Sequence, residues 1–404
     1  MTMSIASDTI TRPPSAPGPI KWLKKNLFST WYNALLTFVA AAFVYFILKG
    51  VLTWVFVTAN WAPVINNPKL FAVGQYPTGE LWRVGAILLM VSFLMGVSWS
   101  LWGGTVRTFA LALAVALGVV ALLPIGLEKM GWTLRFWFLA NPILTGVGYL
   151  IGRAPVVKSR WVVVAWLLSF VLTIVLLRGF GGNETLPVVG TGLWGGLLLT
   201  FLLALIGIVA SFPIGVLLAL GRQSSLPVVK IFCTLFIELV RGVPLVTILF
   251  MFSIILPLFL PEGVRIDRVL RAMMAMTFFA AAYMAENVRG GLQAIPQGQY
   301  EAAEAVGLNA FQTMLLIVLP QALRAVIPAI VGQFIALFMD TTLAIIVGLV
   351  ELLAIGKSIL NSNVDWLLLD SEVYIFIAAV FWVFTYSMSY ASRRLEVALG
   401  VGER

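Results

Sequence analysis

Ala282-Tyr283-Met284-Ala285-Glu286-Asn287-Val288-Arg289-Gly290-Gly291 runs into Leu292-Gln293-Ala294-Ile295-Pro296, then Glu301-Ala302-Ala303-Glu304-Ala305-Val306-Gly307, and closes with Ile317-Val318-Leu319-Pro320. The stretch is amphipathic and charged, yet it lies between segments apolar and long enough to cross a bilayer, which takes about 20 residues. Its punctuation predicts two short helices. Pro296 opens the first, because the N–H it lacks is one that a first helical turn leaves unpaired. Gly307 stops it. Asn309 caps the second, over 310–319, by accepting an orphan N–H, and Pro320 ends or kinks that one. Ala302, Ala303 and Ala305 leave a small, smooth face, and Glu301 and Glu304 lie on neighbouring turns where they can meet basic groups. A polar helix pair at the surface of a membrane protein suits contact with a soluble partner. An ordinary interfacial hairpin is the plainer reading.

Composition sets the frame. Hydrophobic residues make up 61% of the 404 and charged residues 11%, against about 45–50% and about 25% in soluble domains. With a mean hydropathy of +1.02, the chain reads as an integral membrane protein. It has no histidine, which excludes imidazole bases and imidazole metal ligands. Its one cysteine, Cys233, excludes a disulfide within the chain. No G-x-x-x-x-G-K-[ST] phosphate loop is present, so the chain does not hydrolyse ATP in that way. The net charge of +9 fits basic loops beside anionic lipid better than nucleic-acid binding. Residues 1–25 are polar and Pro-rich at the start, lack a signal-peptide pattern, and read as a disordered cytoplasmic tail.

Candidate spans fall at 31–57, 84–102, 108–127, 133–151 and 161–177, then at 193–220, 243–260, 270–289, 322–338 and 373–392, about ten in all. Asn141-Pro142 is a candidate kink. A Gly-rich break (Gly179, Gly181, Gly182, Pro187, Gly190, Gly192) divides residues 26–185 from 190–399. Equal span counts suggest duplication, but no residue-level repeat supports it. An inward N-terminus puts Lys21, Lys24, Lys25, Arg107, Arg153, Lys158, Arg160, Arg222, Lys230, Arg393 and Arg394 in the cytoplasm. It leaves Glu128, Glu184, Glu262, Asp267, Asp365, Asp370 and Glu372 outside, with Arg135, Arg265, Arg268 and Arg271 against the trend. The loop at 294–321 then faces the cytoplasm.

Charges in or beside spans are functional candidates because they are costly to insert. Glu238 and Arg241 precede Gly242-Val243-Pro244-Leu245, and Glu286 and Arg289 share one helix face. Local ion pairing and a place along a substrate path both remain open for them. Asp340-Thr341-Thr342-Leu343 lies in the outer half of its span. Asp340 or Thr341 can cap a helix there, and unwound helix ends at mid-membrane hold ligands. Gly192 and Gly196 form a small-xxx-small pair suited to close helix packing, and Met273, Met274 and Met276 read as filler.

Glu301-Ala302-Ala303, with Gly307 and then Ile317-x-Leu319-Pro320, resembles the Glu-Ala-Ala loop of ABC importer permeases. Ala285–Gly291, Ile295-Pro296 and Arg241-Gly242-x-Pro244-Leu245 resemble the polar amino acid subfamily in particular. So do Asp340-Thr341-Thr342-Leu343, Val347-Gly348-Leu349 and Glu351-Leu352, although Met339 stands where the subfamily has Lys, and Thr342 where it has Ser. The missing Lys puts in doubt any contact it makes with a substrate carboxylate. The resemblance covers about residues 190–399 and implies an all-α, type I permease core, preceded here by about five accessory spans. It implies a bacterial plasma-membrane subunit for amino acid import with no ATPase site of its own. ATP and Mg would sit on a partner ATPase dimer coupled through Glu301, Ala302, Ala303, Gly307, Ile317, Leu319 and Pro320. A second permease subunit, similar or identical, and a periplasmic amino-acid-binding protein complete the implied assembly. Glu238, Arg241, Glu286, Arg289, Asp340, Thr341 and Thr342 are the substrate-path candidates. An ion-coupled secondary transporter would use Glu286 and Asp340 as relay sites but leaves the loop unexplained. A permease-like scaffold or sensor is the other rival.

Overall fold

The computed structural model describes residues 18–122, 132–181 and 186–400. Among them every regular element is helical, and the one β-type contact is an isolated bridge between Gly196 and Glu351. Helices dominate because a bilayer offers no water to unpaired backbone groups. Among the described residues, eight helices are long and apolar enough to cross a membrane, or nine when the bent pair Pro227–Arg241 and Leu245–Phe259 counts as one span. This accords with the expected architecture of about ten spans, the helix Trp132–Gly152 being the one left uncounted. Glu128, Gly182 and Glu184 lie outside the described residues.

The chain forms two compact units, Met1–Asn60 and Trp61–Arg404. In the first, α1 spans Pro19–Asn26 and α2 spans Trp31–Thr53, continuing as a π-helical turn over Trp54–Thr58. Residues 19–25 are thus helical, which corrects the tail expectation for that part; residues 1–17 lie outside the described ones. Pro19 at the first helical turn and the segregation of Ile20, Trp22 and Leu23 from the lysines account for the helix.

The second unit opens with α3, Ala62–Asn66, and α4, Pro68–Val73. Four longer helices follow: α5 Leu81–Trp102, α6 Gly104–Leu122, α7 Trp132–Gly152 and α8 Ser159–Arg178. Of the expected spans, α7 is the one that falls short by composition. Its Asn141 is buried and pairs with α5 instead of facing lipid. The Ser92 hydroxyl donates to the Asn141 side-chain oxygen at 2.7 Å. A Cβ on Gly96 would sit 2.1 Å from the Thr145 carbonyl oxygen, and one on Gly148 would sit 2.3 Å from that of Phe93. Small residues on both helices let the backbones meet.

The segments flanking the Gly-rich break pack together, so contacts do not divide at residues 185–190. The Tyr76 hydroxyl donates to the Leu177 carbonyl at 2.9 Å. Arg83, fully buried, donates to Glu80 at 2.8 Å and to the Pro187 carbonyl at 2.9 Å. Gly196 has φ of +55°, and a Cβ there would lie 2.4 Å from the Phe71 carbonyl oxygen. Its close approach is to the end of α4, and a Cβ on Gly192 would meet nothing within 4 Å, which corrects the expected glycine-pair packing.

The core is built on α9, Gly196–Arg222, and α12, Arg268–Gln293. Ala280, Ala281, Ala282 and Ala285 are fully buried, and Gly215 meets Met284. Met273 and Met276 are buried filler, as expected. Between α9 and α12 come α10, Pro227–Arg241, and α11, Leu245–Phe250, bent by 109° across Gly242-Val243-Pro244. Pro244 holds the extended conformation, which breaks the helix there. After the loop come α16, Ile327–Asp340, α17, Leu352–Leu360, and α18, Asp370–Leu399.

Candidate functional site

Between α12 and α16 the chain folds into α13, Gln297–Ala305, and a second helical run, Ala310–Ala325. Pro296 sits just outside the first turn as its N-terminal boundary. Gly307 has φ of +81°, the left-handed region that Gly enters without penalty. The Leu308 N–H donates to the Ala303 carbonyl at 3.1 Å and the Gly307 N–H to that of Glu304 at 2.9 Å. This is a Schellman stop. A capping box opens the second run: Asn309 accepts from the Gln312 N–H at 2.9 Å, and Gln312 accepts from the Asn309 N–H at 3.1 Å.

That second run comprises α14, Ala310–Gln312, a π-helical segment, Thr313–Val318, and α15, Leu319–Ala325. Pro320 therefore does not end the helix, which corrects the first of the two expected alternatives, an end or a kink. The wider π turn just before Pro320 makes room for a ring that would clash with the carbonyl four residues back in a regular helix.

The pair is seated on apolar side chains. Val318 and Ala322 are fully buried beside Leu292, Ile295, Tyr300, Met314 and Leu319, and Ala303 of α13 is buried as well. Glu301, Ala302 and Glu304 are exposed, as are Gly307 and Pro320, and Ile317 is half-buried. Val306 and Phe311, which sequence reasoning does not single out, are 77% and 72% exposed. The result is an exposed patch of small, acidic and apolar side chains on a capped helix pair. Leu319 belongs to the seat rather than to the patch.

The charged candidates separate into two groups. Glu238, Arg241, Glu286 and Arg289 join one network, together with Arg222 from the end of α9. Glu286 pairs with Arg289, with Arg241 at 3.2 Å and with Arg222 at 3.4 Å, while Arg222 also meets Glu238 at 2.8 Å. The Arg241 guanidinium lies 5.5 Å from the Tyr283 ring centroid. Three arginines against two glutamates tie α9, α10 and α12 together. In sequence Arg222 reads only as a loop charge; a lone cation closing a long apolar run is the signal for it.

Asp340 stands apart, half-buried at the end of α16, with no side-chain partner among the described residues. Neither it nor Thr341 caps the next segment, which corrects that reading. The helix instead tightens into a 3₁₀ turn over Thr341–Val347, with the Thr341 hydroxyl donating to the Phe338 carbonyl at 2.7 Å and Thr342 to that of Met339 at 2.9 Å. Gly348, with φ of +77°, closes the turn.

Glu351, which the sequence presents only as part of a motif, carries a fully buried carboxyl. It caps α17, accepting from the Leu353 and Ala354 N–H groups at 2.8 and 2.9 Å. Burial pushes it from an ordinary 4.5 up to about 7, against the pull of those two donors and of Lys357. Thr200 Oγ1 accepts from the Leu352 N–H at 3.2 Å, and the Gly196 N–H donates to the Val350 carbonyl at 2.9 Å, so this cap is built onto the start of α9.

Residues 211–399 match the family described as the binding-protein-dependent transport system inner membrane component. The chain is 39% identical over 398 residues to the inner membrane amino-acid ABC transporter permease protein YhdY of Escherichia coli, covering 94% of this chain and 93% of that protein. It is 34% identical to the glutamate/glutamine/aspartate/asparagine transport system permease protein BztC of Rhodobacter capsulatus, covering 95% and 94%. A solved amino acid ABC transporter chain is 28% identical over 50% of this chain and 92% of its own, with a TM-score of 0.45. The chain belongs to the binding-protein-dependent inner membrane component family. It is a multi-span transport subunit of the ABC importer class, helical through the described residues, with the family model matching its second half and the two relatives nearly its whole length.

Proposed function

We propose that this chain carries amino acids inward across a bacterial plasma membrane, with both termini cytoplasmic. A periplasmic amino-acid-binding protein delivers substrate, and a second permease subunit, similar or identical, completes the path. A partner ATPase dimer, holding ATP and Mg, docks on the patch around Glu301, Ala302, Glu304 and Gly307, with Ile317, Leu319 and Pro320 shaping its base. The observation that carries this reading is the loop itself: a polar helix fixed by a Schellman stop and a capping box, anchored through Ala303, with its acidic face bare. A surface so rigidly held transmits movement into α12, which Gly291 brings against the Ala322 backbone. The arginine–glutamate network lies farther along α12 and acts as a clasp among α9, α10 and α12. Asp340, without an ionic partner, offers a carboxylate for a substrate ammonium group.

The test is purification of the chain co-expressed with an ATPase and a binding protein of this transporter class, followed by uptake of a panel of amino acids into proteoliposomes. Co-purification with the ATPase and ATP-dependent uptake are expected, with Asp340→Asn reducing uptake while the complex stays assembled. Uptake driven by an ion gradient without ATP would overturn the reading.

A further inference from the structure

Helix α1 is eight residues long, and at about 100° per residue its side chains divide into two arcs. Ile20, Trp22 and Leu23 occupy one, and Lys21, Lys24 and Lys25 occupy the other. The apolar arc is largely open, with no buried residue on the helix: Ile20 is 82% exposed, Trp22 50% and Leu23 42%. The helix is nevertheless not loosely strung. The Thr37 hydroxyl, inside α2, donates to the Leu27 carbonyl at 3.0 Å, and Phe28 meets Phe38 edge-on with ring centroids 5.8 Å apart. The linker is folded back on the first turns of a spanning helix that begins with Trp31 and Tyr32, aromatic residues of the kind that sit at headgroup level.

We propose that α1 is a membrane-surface anchor, lying in the inner leaflet with Ile20, Trp22 and Leu23 among the acyl chains and Lys21, Lys24 and Lys25 on anionic headgroups. The cytoplasmic side rests on the orientation proposed above. An amphipathic helix with a basic polar face binds in this way, and each lysine near an anionic surface is worth about fivefold in partitioning. Charge complementarity selects anionic lipid as the occupant: three lysines and no acidic residue lie on α1. Tethering to α2 makes the contact intramolecular, so a short helix suffices where a free one would not.

The experiment uses the full-length chain carrying Cys233→Ala and a nitroxide at Ile20→Cys or at Lys24→Cys. The protein is placed in bilayers of phosphatidylcholine alone or mixed with phosphatidylglycerol. In the mixed bilayer the label at position 20 is expected to be open to oxygen and shielded from a water-soluble relaxant, and the label at 24 to show the reverse. Lys21→Gln, Lys24→Gln and Lys25→Gln together should remove the shielding at position 20 that the anionic lipid adds, and have no effect in phosphatidylcholine. Equal access of the relaxant to both positions in both lipids would overturn the proposal. Shielding of position 20 from oxygen as well would also overturn it, by placing a protein on that face. Labelling of the Lys24→Cys variant in intact cells by an impermeant maleimide from outside would instead refute the orientation and leave the lipid contrast to decide the surface contact.

Discussion

Glu286 and Glu351 are both acidic residues in apolar surroundings, and their neighbours give them different work. Glu286 faces three arginines, each side chain about a quarter to a third exposed. Replacing it with Ala leaves three cations facing one remaining glutamate, a loss of roughly 1–3 kcal/mol for partly buried partners. A lower melting temperature is expected for Glu286→Ala in detergent, with Glu286→Gln between it and wild type. Glu351 faces no arginine cluster, only the weaker pull of Lys357, and burial outweighs that pull and strengthens its hold on a proton. Its folded value of about 7 exceeds the ordinary 4.5, so the folded state binds more protons between those values. Its contribution is fully present below pH 4.5 and is lost as pH rises through about 7, on the order of 3 kcal/mol. Melting measured across this range should fall with rising pH in wild type and run flatter in Glu351→Gln, which keeps an oxygen acceptor for the cap. A slope unchanged by that substitution would refute the assignment.

Elements are legible from sequence where their signals are local. Gly307 and Asn309 determine a stop and a start from within a few residues, and both stand where the spacing predicts. Pro320 misleads because its effect depends on what precedes it: a π-helical segment upstream lets the helix run on to Ala325. The α5–α7 pairing is not legible, because Gly96 and Gly148 are ordinary residues of spanning helices until a partner is known. That pairing makes a sharp forecast. Gly96→Val should destabilise by about 1–3 kcal/mol or more, since its Cβ would strike a backbone carbonyl, whereas Gly146→Val, on α7 with open space around it, should be nearly neutral. Thermal unfolding of the two variants side by side reads the difference. Arg222 is hidden for a similar reason: its partners Glu238 and Glu286 lie on other helices, the second of them far along the chain.

Across the whole molecule, composition makes the membrane class plain, and the loop motif by itself points to the family. Hydropathy judged helix by helix passes over α7, whose Asn141 is buried against α5. The sequence presents the candidate path as one set of residues, but the fold separates Asp340 from the network around Glu286, since they lie on different helices with different neighbours. The central claim is that force enters this subunit through the surface of α13. ATP-driven amino acid uptake by proteoliposomes holding the reconstituted transporter measures it most directly, comparing wild type with Gly307→Val and Glu301→Lys. Valine is strained at a φ of +81°, and Lys reverses the charge of an exposed face; neither touches a spanning helix. The account predicts normal membrane insertion, weakened ATPase association or hydrolysis no longer tied to transport, and uptake reduced at least about tenfold in both. Wild-type uptake in both variants with the ATPase still bound would contradict it.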